Sequence, residues 1–345
     1  MIIDLSDSRS RTGGFWIKTA LLVLLWVISF FASFLIGRYP VEPSTVYSII
    51  RTSVLRLPAQ WADTLVTIVM EVRLPRILAA LLVGGALSIS GASYQTLFKN
   101  PMVSPDILGV SAGAGFGAAL TMLYGCSWWQ TQLSAFCFGT LAVAAAYCIS
   151  RLFGGNNLTI LVLAGVVVSS LFQALLSIVK TLADPDDALP SITFWLMGSF
   201  ASVNDGDMKA IIIPMVCGFL LLLLESWKLN VLSFGDEEAR SMGIKTKRVR
   251  LVVIFASTLI VSCSVAVSGI VGWVGLVIPH LARALVGPNY RALLPASMVI
   301  GASYLLLVDN LARLIATVEI PIGILTSIIG VPFFIFIFKR NQKGW

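Results

Sequence analysis

Ser233 to Arg250, SFGDEEARSMGIKTKRVR, is the long, highly charged interior run of a chain that is otherwise mostly apolar. It carries three consecutive acids, Asp236, Glu237 and Glu238, then Arg240, a glycine break at Gly243, and the cations Lys245, Lys247, Arg248 and Arg250. Ionised side chains at this density cannot lie in hydrocarbon. Apolar segments long enough to span a bilayer flank the run on both sides, so it belongs in water as a compact loop. DEEARSM is a good helix-forming string, with acids at its start and Gly243 as a C-terminal stop. A short amphipathic helix outside the membrane is a handle for a partner. The same pattern also fits a solvated connection that only sets topology.

The rest of the composition fixes the class. Hydrophobic residues make up 57% of the 345 positions and charged ones 12%, with a mean hydropathy of +0.92. A soluble globular chain of this length does not look like this, and a polytopic membrane protein does. The net charge of +7 does not point to nucleic acid, because the cations are scattered between apolar spans. The five cysteines, Cys126, Cys137, Cys148, Cys217 and Cys263, stand singly without CxxC spacing. They read as small buried hydrophobes, neither metal ligands nor a disulfide frame. His280 is the one histidine, which rules out a multi-histidine metal centre. The uncharged run 19–37 lacks a convincing small-residue cleavage site and reads as a retained first helix.

Ten apolar stretches predict an all-α, polytopic fold of about ten transmembrane helices in one domain, 1–345: 19–37, 73–97, 105–124, 130–150, 158–179, 207–225, 251–270, 273–286, 292–312 and 321–338. An even number puts both termini on one side. With that side cytoplasmic, sixteen of the 24 Lys and Arg residues fall inside, including Arg9, Arg11, Lys99, Arg151, Lys228, the cations of 240–250, Arg283, Arg291 and Lys343. The bias gives cytoplasmic termini and a cytoplasmic loop at about 230–250. Outside lie Arg38 to Met70, with Pro40, Pro43, Pro58 and Trp61, and Lys180 to Gly206, whose PSITFWLMGSF predicts a short interfacial helix.

Runs 84–91 (GGALSISG) and 109–117 (GVSAGAGFG) place small residues at three- and four-residue spacing, which lets helix backbones approach closely. Between them KNPMVSPD predicts a sharp turn, with Ser104 as an N-cap before Pro105. The endings ISG at 89–91 and VSG at 267–269 hint at two inverted halves, a pattern common in transporters.

Four stretches in register carry a resemblance: RLPRILAALLVGGALSISGASYQTLFKNPMVSPDILGVSAGAGFGA from Arg73, FGDEEARSMGI from Phe234, SGIVGWVGLVIPHLAR from Ser268 and EIPIGILTSIIGVPFF from Glu319. From about Arg73 to Phe338 the chain resembles the iron-siderophore, haem and cobalamin permease family of bacterial ABC importers. The resemblance implies a type II importer: a homodimer of ten-helix permeases in the inner or plasma membrane, two cytoplasmic ATPase subunits, and a periplasmic or lipid-anchored substrate-binding protein. ATP and Mg would then sit on the partner ATPase, with no cofactor on this chain and no nucleic-acid partner. The sequence agrees on one point, for it holds no GxxxxGK[ST] phosphate loop, and Gly243-Ile244-Lys245-Thr246 lacks the Gly-Lys adjacency.

The resemblance also assigns sites. Gly235, Glu238, Ala239, Arg240, Met242 and Gly243 match the coupling helix that docks in a cleft of the ATPase. There a small Ala239 would let the helix seat deeply, while Glu238 and Arg240 supply polar rim contacts. Arg73, Arg76 and Arg313 match arginines that receive acidic residues of the binding protein, although snorkelling at the interface would account for any single one. Gly165, Ser169, Gln173 and Ser177 repeat every four residues on one helix that lines the pathway in the family, with Gly323 and Ser327 on the last helix. Small-residue packing is the alternative for this stripe. Asp309, an acid in an apolar run, suggests a proton relay; Arg313 four residues later offers an ion pair instead. His280, just after Pro279, reads as structural. The expected function is permeation of an iron chelate, ferric siderophore or haem. Cobalamin or molybdate import by the same fold, and proton-coupled secondary transport, are the alternatives.

Overall fold

A computed structural model of the chain describes residues 5–37, 39–55, 61–154, 157–316 and 318–341. Arg38, Pro58 and Lys343, used above for topology, lie outside them. The chain runs α1 (Leu5–Leu35), α2 (Pro43–Val54), α3 (Asp63–Val66), a π-helical stretch Thr67–Arg73 that leads directly into α4 (Leu74–Leu97), and a 3-10 turn Pro105–Leu108. It continues through α5 (Val110–Leu123), α6 (Trp128–Gly154), α7 (Leu158–Leu182), α8 (Ala188–Leu196), α9 (Asp205–Leu224), α10 (Ser226–Phe234) and α11 (Asp236–Ser241). The last four are α12 (Thr246–Ser268), α13 (Val274–Val286), α14 (Tyr290–Leu314) and α15 (Ile322–Asn341).

Each of the ten predicted apolar stretches coincides with a helix, α1, α4, α5, α6, α7, α9, α12, α13, α14 and α15, the stretch 105–124 only in its second part. Five of these, α6, α7, α9, α12 and α14, are both long and apolar enough to cross a membrane. The remaining helices are short and lie between the longer ones, α8 falling where a short helix is expected in PSITFWLMGSF. The stretch 105–124 is not one helix as expected. Gly109 adopts φ +88° and separates the 3-10 turn from α5, and Ser104 caps without a side-chain hydrogen bond. Asn204 and Asp207 bond each other's backbone N–H groups at 3.1 and 2.9 Å, a capping box that starts α9.

α4 is the centre. Of its 24 residues 21 are buried, and it packs against α14, α12, α13 and α9. Lipid tails are as apolar as leucine, so these helices gain contact chiefly by close backbone approach. A Cβ on Gly84 would stand 2.2 Å from the Gly301 carbonyl, and one on Gly91 would stand 1.8 Å from the Gly275 carbonyl. The second contact has a local cause. Pro279 lacks an N–H, so the Gly275 carbonyl has no helical donor four residues on, and it faces the bare backbone at Gly91. Three hydroxyls on α4 are satisfied within the helix, since Ser88, Ser93 and Thr96 donate to carbonyls one turn back at 2.7, 2.8 and 3.0 Å.

A second layer, α5, α6 and α7, is assembled the same way. A Cβ on Gly113 would sit 2.4 Å from the Phe138 carbonyl and one on Gly117 2.6 Å from that of Ser134, while Phe116, Phe138 and Phe172 join the three helices through ring contacts. One cysteine, Cys263, is buried. Cys126, Cys137, Cys148 and Cys217 are exposed, which corrects the expectation of burial for those four: Cys126 lies in the α5–α6 connection and the other three on outward helix faces, where lipid accepts a thiol as readily as a core does. Gly91→Val should abolish accumulation of the folded, monodisperse protein in detergent, as overpacking of about 1–3 kcal/mol or more requires. Gly272→Ala, where a Cβ meets nothing within 4 Å, should leave thermal unfolding unchanged; both are read by size-exclusion chromatography and melting temperature.

Candidate functional site

The charged loop folds as a platform at one end of the bundle. α11 closes with two backbone bonds, Ile244 N–H to Ala239 O and Gly243 N–H to Arg240 O, both 2.9 Å, with Gly243 at φ +79°. This is the Schellman stop that the glycine break predicts. α10 precedes α11 and was not foreseen. Its Leu229, Val231 and Leu232 are buried, and Asn230 bonds Asn289 Oδ1 and the Tyr290 N–H, both at 2.8 Å, which fastens it to the start of α14. Asp236 meets Arg250 of α12 at 2.5 Å.

Within this platform the six expected coupling residues divide. Glu238, Arg240, Met242 and Gly243 are exposed. Gly235 is buried, and a Cβ there would stand 1.8 Å from the Glu238 carboxylate. Ala239 is 0% exposed, because it is the residue that the Schellman turn folds under Ile244 and α11 rests on α10 and α12. Its smallness therefore serves this chain's own packing, with the side chain turned inward. The apolar groups presented outward are Phe234, 80% exposed, and Met242, 59%; the first was not among the expected residues. Its position one residue before the helix-stopping glycine was the available signal.

The three arginines converge at the far end of α4 and α14, where all are buried. Arg76 grips Asp309 with Nε and Nη2 at 3.0 and 2.8 Å and reaches Glu319 at 2.9 Å. Arg313 lies 3.3 Å from Asp309 and donates to Ile36 O at 3.0 Å and to Asn310 Oδ1. Arg73 donates to Phe34 O and Tyr39 O. Three guanidinium groups thus face two carboxylates, and the remaining charge lies on carbonyls at the C-terminal end of α1, the negative end of a helix dipole. Asp309 is 0% exposed and held from two helices, so the pairing with Arg313 alone is incomplete: the stronger contact is to Arg76. As placed, these donors are used internally, where the docking role expected for them needs donors that face out.

The small and polar stripe of α7 also divides. Gly165 is buried against the Ile107 carbonyl, 2.3 Å from where its Cβ would be, and Ser169 lies against Gly109. Gln173 and Ser177 are exposed, with Ser177 Oγ donating to the Gln173 carbonyl at 2.9 Å. On α15, Gly323 N–H bonds Met197 O at 3.0 Å and Ser327 Oγ bonds Gly323 O at 2.7 Å; both residues are half-buried. α7 is peripheral: 28% of its most apolar window is buried, against 78% for α12. His280 Nδ1 lies 2.9 Å from Leu276 O of its own helix, a structural setting. Among the described residues no group of three His, Cys, Asp or Glu side chains could hold a metal ion.

A protein-family model, the FecCD transport family, matches residues 24–340. The molybdate import system permease protein MolB of Haemophilus influenzae is 43% identical over 325 residues, covering 94% of this chain and 96% of its own. The ferric enterobactin transport system permease protein FepD of Escherichia coli is 35% identical over 94% of this chain and 95% of its own. Among solved structures, a chain in an inward-facing conformation, assigned to a metal-chelate type ABC transporter, is 41% identical and superposes with a TM-score of 0.83 over 94% of this chain and 99% of that one.

Removing one side of this ionic cluster leaves a buried charge alone, which costs about 3–5 kcal/mol. Arg76→Gln should therefore lower the melting temperature strongly, and Arg76→Gln combined with Asp309→Asn should recover part of the loss. An additive double mutant would show that the pair does not hold α4 to α14.

Proposed function

Because the chain belongs to the FecCD transport family and is a multi-pass ABC importer permease, we propose that it works as two copies bound to two ATPase subunits at the α10–α11 platform, with a binding protein delivering cargo at the opposite end. The observation that carries this reading is the platform itself. A pair of short helices is held rigidly to α12 by Asp236–Arg250 and to α14 through Asn230, yet presents Phe234 and Met242 to water. Exposed apolar anchors ringed by Glu237, Glu238 and Arg240 have the make-up of a protein–protein contact, with an apolar centre and a polar rim. Charge bias supports placing this face in the cytoplasm. The uncovered faces of α7, with Gln173 and Ser177, and of α15 are where the second copy would meet this one and enclose the pathway.

For cargo we propose a metal in anionic form, with molybdate first, supported by the 43% identity to the molybdate permease over nearly the full length of both chains. A ferric chelate is the second reading, favoured by similarity to the ferric enterobactin permease. Proton-coupled transport has little support, since the carboxylate oxygens of Asp309 are taken up by Arg76 and Arg313 and face no open path.

The test is reconstitution with the adjacent ATPase and binding protein in liposomes, followed by uptake of molybdate, ferric siderophore, haem and cobalamin. ATP-dependent molybdate uptake is expected; uptake of ferric siderophore alone selects the second reading, and uptake driven by a proton gradient without ATP overturns both. Phe234→Asp with Met242→Asp should weaken ATPase association by about 30-fold, the loss of a ~2 kcal/mol anchor, with melting temperature unchanged because both side chains are exposed.

A further inference from the structure

We propose that the cleft between α8, the start of α6 and the end of α12 is a docking pocket for a loop of the substrate-binding protein, a loop with an apolar tip flanked by basic residues. This deepens the preceding reading and rests on it for the partner. The cleft lies at the end remote from the platform, since α12 runs to it from α11 and α9 runs away from it to α10. Its volume is about 630 Å³, inside the range of about 300–1,000 Å³ found for pockets that bury an organic group. Trp128, Phe194 and Trp195 supply aromatic walls, with further apolar surface from Met122 and Val267. The floor is fixed backbone: Ser199 N–H donates to Ser268 O at 2.8 Å, and a Cβ on Gly269 would stand 2.2 Å from the Trp195 carbonyl. A pocket formed in advance pays little ordering entropy when it is filled.

The lining sets the chemistry of the occupant. Trp195 is 6% exposed, and the indole N–H groups of Trp195 and Trp128 meet no acceptor. An indole nitrogen only donates, and a buried donor left unpaired costs free energy, so a good occupant brings acceptor oxygens. No ionisable side chain is among the described lining residues, which disfavours a small oxyanion, since it would leave water without meeting a cation. Peptide carbonyls with an apolar side chain between them suit both features, and tryptophan is a residue on which such contacts concentrate. The mouth is in water: Ser191, Ala201 and Ser202 at its edge are exposed, and so are Asp187 and Asp205, where α8 and α9 begin beside it. That setting separates it from a groove for lipid tails. Asp184, Asp186 and Asp187 are exposed next to α8, against the single cation Lys180 in the segment 180–206, and this acidic edge favours cations on the partner. The arginine cluster at the same end spends its donors on this chain's own carboxylates and carbonyls. The cleft is the open contact there.

The experiment titrates the permease–ATPase complex in lipid nanodiscs with the fluorescently labelled adjacent binding protein. Ala201→Trp, which fills the mouth from an exposed position, should weaken binding about tenfold. Trp195→Phe, which keeps the ring and removes the donor, should weaken it about fivefold, while Trp129→Phe, outside the cleft, should not. Asp186→Lys combined with Asp187→Lys should slow association about tenfold at low salt. Thermal unfolding checks that each variant folds, and native mass spectrometry follows bound lipid and the number of copies. Wild-type binding that Ala201→Trp and Trp195→Phe leave unchanged overturns the cleft and spares the importer reading. Absence of wild-type binding overturns both the cleft and the delivery step on which it rests. Separation of the two copies in Ala201→Trp overturns the proposal in favour of a second copy of this chain, and a phospholipid retained by the wild type but lost from Ala201→Trp overturns it in favour of lipid.

Discussion

The close approach of bare backbones around α4 is the constraint on which the other packing depends. In water a buried helix is driven into place by the hydrophobic effect; in lipid that drive is absent between apolar helices, and contact distance has to supply it. Gly84 against Gly301 and Gly91 against Gly275 set α14 and α13 at a separation that no side chain allows. Once those two are fixed, α12 and α9 close the remaining sides and α4 has no face left for lipid. The prolines take part in this. Pro279 frees a carbonyl that would be a liability in hydrocarbon, and that carbonyl is covered by α4.

Such a block must still satisfy its ends. At one end the solution is ionic. α4 and α14 are joined by Arg76 and Asp309, and the chain after α1 is tied in because Arg73 and Arg313 donate to Phe34, Tyr39 and Ile36 carbonyls. A side chain on Gly37 would push into the Arg73 guanidinium, so this residue too belongs to the cluster. At the other end the solution is mixed: the Asn230–Asn289 bond and the Asp236–Arg250 pair fix α10 and α11 without burying more than one charged contact. The first arrangement is closed on itself, whereas the second leaves Phe234 and Met242 bare.

Local features were legible in the sequence because their causes are local. The ten apolar runs, the helix in DEEARS, its stop at Gly243 and the short helix near PSITFWL all follow from length, charge and a single glycine. The face of a short helix was not legible. Ala239 looked like a residue shaped for a partner, and only the position of α10 and α12 reveals that it is turned inward. Likewise Arg76 and Asp309 lie 233 positions apart, so the sequence offered Asp309 only its neighbour Arg313. The stripe 165–177 was read as one surface, yet Ile107, Leu108 and Gly109 lie against its first two members and leave Gln173 and Ser177 bare, a distinction set by a segment more than fifty positions away. The cysteines erred for a further reason: hydrophobicity places a residue out of water, and in a membrane protein that includes the periphery.

How a push on the platform would travel follows from these attachments. α11 is bonded to α12, and α10 to α14, both members of the tightly packed block. Neither α7 nor α15 touches the platform directly among the principal helix contacts. α7 meets the block through the 3-10 turn at Gly165, while α15 is held at its first turn by Ile322 N–H to Gly198 O and Gly323 N–H to Met197 O, at 2.9 and 3.0 Å. Close-packed interiors of this kind move as bodies instead of deforming. A displacement of α11 therefore arrives as a shift of the whole block, which reaches α7 through α5, α6 and the turn at 105–108, and α15 through α13, α14 and the backbone bonds at 197–198.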